Sequence, residues 1–157
     1  MPFTPFHFGP GLALAGATRR IDFWAFAAAN VLVDLESGWN LWQLRYPVHG
    51  FFHSALGASL SILPAAALAV AASVVAVRAG LLRERIRVAS AAAGAALGAW
   101  SHVLLDSIMH ADARPAAPWS DENPLLGAVS LDALHNLCLA AGVLGALLIA
   151  VRARRRS

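Results

Sequence analysis

Residues 55–77 read ALGASLSILPAAALAVAASVVAV, a continuous run without a formally charged side chain. A helix crosses the hydrocarbon core of a bilayer with about 20 apolar residues, so this stretch by itself predicts a membrane span. Pro64 lies inside the run, and a membrane helix tolerates proline because neighbouring helices satisfy the freed backbone groups. The stretch therefore favours a helical membrane protein.

Two further uncharged runs, residues 88–105 and 133–151, are also long enough to span a bilayer. Two shorter apolar segments, at residues 7–17 and 21–35, would extend only about 17 and 22 Å as helices. We expect these two segments to form a hairpin beside the longer helices. The predicted fold is an all-α integral membrane bundle of about five helical segments in a single domain over residues 1–157, with three to five of the segments crossing.

The composition agrees with insertion in a membrane. Of the 157 residues 59% are hydrophobic and only 13% are charged, whereas soluble domains carry about 25% charged residues. This excludes disorder and argues against a free-standing soluble domain. The single cysteine, Cys138, excludes an intramolecular disulfide and falls in an apolar run, where we expect it to be buried.

The arginines predict the orientation. All 12 basic residues are arginines, and ten of them fall in the first turn, in the connection after the third segment and at the C-terminus. Alternating helices place these three regions on one face, which the positive-inside rule makes cytoplasmic. The net charge of +3 therefore reflects membrane-flanking arginines, and we expect no nucleic-acid partner.

The same topology directs all 6 histidines towards the opposite, outer face. The segment GAWSHVLLDSIMH carries three donors four residues apart on one helical stripe, His102, Asp106 and His110. The segment PVHGFFHSALG repeats the spacing with His49 and His53. Two ligands four apart on a helix can bind one ion, and imidazole with carboxylate suits zinc, or iron, manganese or nickel in other geometries.

His7, Asp34 and His135 fall at the same level and complete the candidate metal ligands. A charged group costs about 2.5–3.5 kcal/mol at the bilayer centre, so an aspartate in an apolar helix needs a partner. Asp34 is a candidate ligand or general base, whereas Glu36 would diverge from it by about 200° on a helix and is a second choice. Arg114, on the outer loop, is a candidate phosphate contact. We expect one or two divalent ions, zinc in the first place.

The order of these motifs resembles a family of bacterial inner-membrane metal-dependent hydrolases, often called LexA-binding membrane-associated hydrolases. That family typically shows an early G-H or T-H, a D-x-D, an H-R-G-x-T-H-S and a G-Y-x-S-H-x-x-x-D. Over about residues 5–110 this chain has, in the same order, an early His, D-L-E, H-G-F-F-H-S and L-G-A-W-S-H-V-L-L-D-S. Three details depart from the family pattern: Glu36 replaces the second Asp, the two His are one residue closer, and Phe52 replaces Thr.

A more distant similarity is to the helical zinc phospholipases C and P1-type nucleases, which gather His, Asp and a His-x-x-x-Asp from successive helices around a metal cluster. The resemblance implies one set of ligands, His7, Asp34, His53, His102 and Asp106. It also implies His110 and His135 as candidates for another ion. Those enzymes follow their late His with a Glu four residues on, where this chain has Leu139.

Together these observations predict a membrane-bound metal-dependent hydrolase at the outer, periplasmic face of a bacterial inner membrane. It would act on a phosphoester or lipid-linked substrate through metal-activated water, with the lipid bilayer and a small-molecule or lipid substrate as partners. A non-catalytic membrane scaffold or sensor is an alternative, because structural zinc sites are filled by four protein ligands. A small metal-ion transporter is a less favoured alternative, because intramembrane His and Asp often mark ion pathways.

Overall fold

The computed structural model describes residues 5–155, and this part of the chain is helical without any strand. Its helices are α1 (Phe8–Ala17), α2 (Phe23–Trp42), α3 (Ala55–Arg78), α4 (Val88–Met109) and α5 (Leu131–Arg154). Two short 3-10 turns, Pro5–His7 and Phe51–His53, precede α1 and α3. The all-α class and the number of helical segments are confirmed.

Side-chain caps explain where three of the helices begin. Asp22, Ser54 and Ser130 each accept a hydrogen bond from the backbone N–H three residues further on. Each cap satisfies an amide that has no carbonyl partner in the first helical turn. The starts of α2, α3 and α5 are therefore encoded locally in the sequence.

Helix α2 is longer than the apolar pattern predicted. We expected an end near residue 35, whereas the helix runs for 20 residues to Trp42, or about 30 Å. The polar side chains that interrupt the pattern have partners outside the helix. Glu36 and Asn40 bond to the backbone before α3, and Ser37 contacts a histidine there. The prediction of a short second segment was therefore wrong, whereas α1, with 10 residues, is indeed short.

Among the described residues, three helices are long and apolar enough to cross a membrane. They are α3, α4 and α5, with 24, 22 and 24 residues and mean hydropathies of 2.3, 1.4 and 2.1. Long apolar side chains point outward from them, for example Leu63 on α3 and Leu137 on α5, which are 78% and 62% exposed. This outward apolar surface suits contact with lipid tails, and these are the three spans that the uncharged runs predicted.

Small residues allow the helices to pack closely. Helices α2, α3 and α4 pack around buried alanines such as Ala29, Ala58 and Ala95, while α1 packs mainly on α5. Without a strong hydrophobic drive in lipid, such close backbone contact stabilises helix pairs through van der Waals attraction. At Gly9 of α1 the approach is so close that a methyl group would overlap the carbonyl oxygen of Cys138. Cys138 is buried in this interface, as expected.

Hydrogen bonds join the arginine-bearing segments at one end of the bundle. Arg152 of α5 donates to two backbone carbonyl groups at the C-terminal end of α1. Arg87, just before α4, lies 3.4 Å from the carbonyl oxygen of Arg19 in the first turn. The three segments therefore share an end, as the alternating topology predicts. Arg156, the last arginine of that predicted group, lies outside the described residues.

Candidate metal centre

At the opposite end of the bundle, four buried side chains converge from α2, from the turn before α3 and from α4. We call them the tetrad: Asp34, His53, His102 and Asp106. They are between 0% and 4% exposed. His102 Nε2 lies 3.2 Å from Asp106 Oδ2, 3.2 Å from Asp34 Oδ1 and 3.3 Å from His53 Nε2. His53 Nε2 lies 3.1 Å from Asp106 Oδ2 and 3.6 Å from Asp34 Oδ1.

These distances have the scale that a metal ion requires. A tetrahedral zinc site with bonds of about 2.0–2.1 Å has about 3.3–3.4 Å between neighbouring ligand atoms. The five distances within the tetrad run from 3.1 to 3.6 Å. Two imidazole nitrogens and two carboxylate oxygens are also a donor set that divalent transition metals accept. The tetrad could therefore hold a divalent metal ion.

Asn30 determines which nitrogen of His102 faces the tetrad. The Asn30 amide nitrogen donates to the carbonyl of Phe26 at 2.9 Å and lies 3.4 Å from that of Gly98. The remaining amide oxygen can only accept, and it lies 2.9 Å from His102 Nδ1. His102 therefore carries a proton on Nδ1, which leaves Nε2 as the nitrogen that could bind a metal ion in the tetrad, as in metal-ligating histidines. Asp34 Oδ1 lies 3.2 Å from that Nε2 and is buried without a hydrogen-bond partner in the described chain.

Two residues of α2 position the segment that carries His53. The Glu36 carboxylate accepts from the backbone N–H groups of Phe51 and Phe52, at 3.0 and 2.6 Å. The Ser37 hydroxyl oxygen lies 3.3 Å from His53 Nδ1. Glu36, our second choice as a ligand, thus holds the 3-10 turn in place through the backbone. Both carboxylate oxygens of Glu36 accept hydrogen bonds from this turn.

Three more histidines surround the same aspartate. His7 Nε2 and His110 Nε2 lie 3.3 and 3.8 Å from Asp106 Oδ1, and His49 Nε2 lies 3.9 Å from Asp106 Oδ2. His49 Nδ1 is 2.7 Å from Asp112 Oδ1, and the other oxygen of Asp112 accepts from the backbone N–H of His49. His49, His110 and Asp112 also lie close enough together to form a second possible ligand group.

The electrostatic environment shifts the pKa values of groups around the site. Burial disfavours charged His53, but contact with the carboxylates of the tetrad outweighs it and raises the pKa of His53. Burial lowers the pKa of His110, and the nearby His49 lowers it further. Burial would raise the pKa of Asp112, but the hydrogen bonds with His49 hold it below its usual value. A metal ion binds only the neutral imidazole, so the raised pKa of His53 would make metal binding weaken in acid.

Two predicted site residues lie apart from these groups in the described structure. The ring of His135 stacks on Phe6, with 4.2 Å between the centroids, and belongs to neither ligand group. Arg114 donates to Asp121 at 2.9 Å on an exposed loop. The role of Arg114 as a phosphate contact stays a prediction, as does the role of His135 as a ligand.

Sequence reasoning missed three positioning residues, Asn30, Ser37 and Asp112. Asn30 had a signal, because it is an amide in an apolar helix four residues before Asp34, on the same helical stripe. Asp112 follows His110 by two residues, yet its partner is His49, 63 positions earlier. Ser37 has no signal in the sequence that separates it from other serines.

Comparisons with protein-family models, with curated proteins and with solved structures found no match for this chain.

Proposed function

We propose that this protein is a membrane-bound metal-dependent hydrolase that uses zinc to hydrolyse a phosphoester or a lipid-linked substrate. One observation carries the proposal: in the described chain, five histidines lie 3.1–3.9 Å from the Asp106 carboxylate. A structural zinc ion is satisfied by four protein ligands. The tetrad already supplies four, so the additional histidines favour a site that does more than hold one structural ion.

In this proposal, some residues of the tetrad would bind the metal ion and Asp34 could accept a proton from the attacking water. A divalent ion held by the tetrad would supply Lewis-acid chemistry, which ionises water near neutral pH and stabilises developing negative charge. His53 and His102 would bind through Nε2, and Asn30 keeps the second ring in the correct tautomer. Asp34, whose buried Oδ1 lacks a hydrogen-bond donor, would complete the ligands or orient the attacking water and take its proton. Arg114 could reach a phosphate only by leaving Asp121.

The position of the centre supports a lipid or lipid-linked substrate. It lies at the end of the bundle opposite the arginines, so the positive-inside rule assigns it to the periplasmic face of a bacterial inner membrane, with the C-terminus cytoplasmic. An apolar cavity of about 470 Å³ lies between α2 and α3, and Glu36 and Phe52 line it. Phe52 directly precedes His53, so an apolar chain in this cavity would contact the segment that carries this histidine. The resemblance to the membrane-associated hydrolases supports the same assignment.

A non-catalytic metal-binding scaffold or sensor is the second candidate. It is favoured by the burial of the tetrad, in which no side chain is more than 6% exposed. A closed site of four protein ligands is typical of structural zinc. The two functions differ in whether a small anion can reach the ion.

The test is to measure metal content and hydrolysis on the same detergent-purified protein. Wild type and Asp106→Ala are stripped with a chelator, reloaded with Zn²⁺, and assayed against a chromogenic phosphodiester and phospholipid vesicles. We expect wild type to bind zinc and hydrolyse at least one substrate, and Asp106→Ala to lose both properties. Asn136→Ala, which changes an exposed polar side chain of α5, is the control that should keep both. Unchanged hydrolysis in Asp106→Ala would contradict the proposal.

Loading with Co²⁺ separates the enzyme from the closed scaffold. The visible spectrum of Co²⁺ reports the ligands around it, so inorganic phosphate should change the spectrum if a ligand position is open. A spectrum unaffected by phosphate, together with no hydrolysis, favours the scaffold or sensor.

A further inference from the structure

We infer that the end of the bundle that carries the arginines binds one phospholipid with a negatively charged head group. The acyl chain of this lipid lies in an apolar cavity beside α3, and its phosphate is held by Arg83 and Arg85. The site is at the end opposite the tetrad, so the inference does not rest on the proposed hydrolase.

The cavity lies between α2, α3 and the connection between α3 and α4, residues 79–87. Its volume is about 450 Å³, which falls within the range of about 300–1,000 Å³ typical of small-molecule sites. Apart from Ser73, the side chains that line it are apolar. Along α3 the lining runs from Leu68 to Ala76, or about 12 Å at the rise of an α-helix. This elongated apolar shape suits a hydrocarbon chain.

Hydrogen bonds hold the connection against the cavity. The backbone N–H groups of Leu81 and Leu82 donate to the carbonyl oxygen of Ala76, at 2.9 and 3.3 Å. The backbone N–H of Ile86 donates to the Ser73 hydroxyl oxygen at 3.1 Å. The side chains of Leu81, Leu82 and Ile86 all line the cavity. The connection therefore folds back along α3 and forms one wall of the cavity.

The arginines of the connection lie at the rim of this cavity. Arg83 and Arg85 are each the neighbour in sequence of a residue that lines it. Both side chains are exposed, and neither has an ion pair in the described chain. Residues 78–87 carry four arginines and one acidic residue, Glu84, which is also exposed. The rim therefore has an excess of positive charge that an anionic head group complements.

A phospholipid matches both the apolar and the charged part of the site. An apolar chain would cover Leu81 and Trp24, which are 78% and 66% exposed. Tryptophan is typical of the level at which head groups meet acyl chains. Guanidinium groups bind phosphate through paired N–H donors, and basic pockets between membrane helices on the cytoplasmic side are typical sites for anionic lipid head groups. The positive-inside rule predicts that this end is cytoplasmic.

The first test needs only wild type, so it does not depend on the folding of any variant. Delipidated protein in detergent is titrated with dioleoyl phosphatidylglycerol or dioleoyl phosphatidylcholine, and bound lipid is counted by native mass spectrometry. The acyl chains are the same, so a difference in affinity reports the head group. We expect phosphatidylglycerol to saturate at one per chain and to bind about 25-fold more tightly, from about five-fold for each of two arginines. Equal affinities, binding without saturation, or a protein dimer without bound lipid would overturn the inference.

Arginine variants test the position of the head group. Arg83→Gln and Arg85→Gln should each weaken binding of phosphatidylglycerol by about five-fold and leave that of phosphatidylcholine unchanged. Arg155→Gln is the matched control, because it removes an exposed arginine that follows α5, and α5 packs mainly on α1. Unchanged binding in Arg83→Gln and Arg85→Gln, or an equal loss in Arg155→Gln, would overturn the inference.

Alanine variants on α3 test the position of the acyl chain. Ala72→Phe places a large side chain in the cavity from an exposed position, so it should weaken binding of phosphatidylglycerol although every arginine remains. Ala71→Phe is the matched control at the neighbouring exposed position, which does not line the cavity, and should bind as wild type does. Unchanged binding in Ala72→Phe, or equal losses in both variants, would overturn the inference.

Discussion

At the residue scale, the candidate metal centre depends on side chains that lie behind its histidines and do not belong to the tetrad. Asn30, Ser37 and Asp112 each contact the far nitrogen of a histidine whose Nε2 faces Asp106. The oxygens of Asn30 and Asp112 can only accept, so they limit the tautomer of the histidine as well as its ring orientation. The Ser37 hydroxyl can donate or accept, so it limits only the orientation of His53. The buried Asn30 amide thus has partners for both its nitrogen and its oxygen within a helix of mostly apolar residues.

Replacing Asn30 therefore tests its effect on His102 directly. We expect Asn30→Leu to weaken Zn²⁺ binding by about 10- to 100-fold, because His102 would lose the acceptor that keeps its proton on Nδ1. Competition with a chromophoric chelator measures the change. Asn136→Leu, on an exposed part of α5, is the matched control. Equal affinities in the two variants would show that Asn30 has only a packing role.

At the element scale, α1 matters because it carries His7 to the centre. The helix is only 10 residues long, and its position comes from close packing on α5. His7 stands at the end of the turn before α1, next to the closest contact between the two helices. The sequence predicted a short segment beside the longer helices, but α5 as its partner becomes evident only in the fold.

Gly9 is the position where this packing is most sensitive. In Gly9→Ala the new methyl group would overlap the carbonyl oxygen of Cys138, which belongs to the backbone and cannot rotate away. We expect a loss of about 1–3 kcal/mol of stability from the forced separation of α1 and α5. Thermal unfolding in detergent, followed by circular dichroism, measures it.

Gly142→Ala is the matched control for this prediction. Gly142 lies on α5 and also faces α1, but a methyl group there would lie 3.4 Å from the nearest atom, an ordinary contact. We expect its unfolding temperature to stay close to that of wild type. Equal destabilisation by the two substitutions would argue against a specific contact at Gly9.

At the scale of the whole molecule, the bundle has two chemically different ends. One end gathers the arginine-bearing segments, and the other gathers the buried histidines and aspartates. Only α4 lies between the connection after α3 and the loop before α5. If α4 crosses the membrane once, these two ends lie on opposite sides of it. The positive-inside rule then predicts which end is cytoplasmic.

Cysteine labelling tests this orientation. Cys138→Ala removes the native thiol, and Glu84→Cys and Glu122→Cys each add one at an exposed position near opposite ends. The two replacements are matched, since both remove a glutamate. A membrane-impermeant maleimide added from the periplasmic side should label Glu122→Cys, while Glu84→Cys should react only after the membrane is opened. The reverse pattern would contradict the proposed orientation.

Much of the centre could be foreseen from spacing alone. His102 and Asp106 share a helical stripe, and the four-residue spacing placed them together before any fold was known. The extent of α2 could not be foreseen in this way. Its last turns contain Glu36 and Asn40, whose bonding partners belong to the segment before α3. A hydropathy pattern describes one segment of the chain, so it cannot predict that polar residues extend a helix by bonding to another segment.

The sequence by itself determined the helical class, the three long apolar spans, the arginine-rich end and the residue types of the centre, because these follow from composition and periodicity along one segment. Only the tertiary structure decided that the two oxygens of Asp106 face different histidines, that His135 lies apart, and that Asn30 lies behind His102. Asn30 and His102 are 72 positions apart and meet at 2.9 Å. Contacts of this kind depend on how helices rotate against one another, and that rotation is set by packing across the whole bundle.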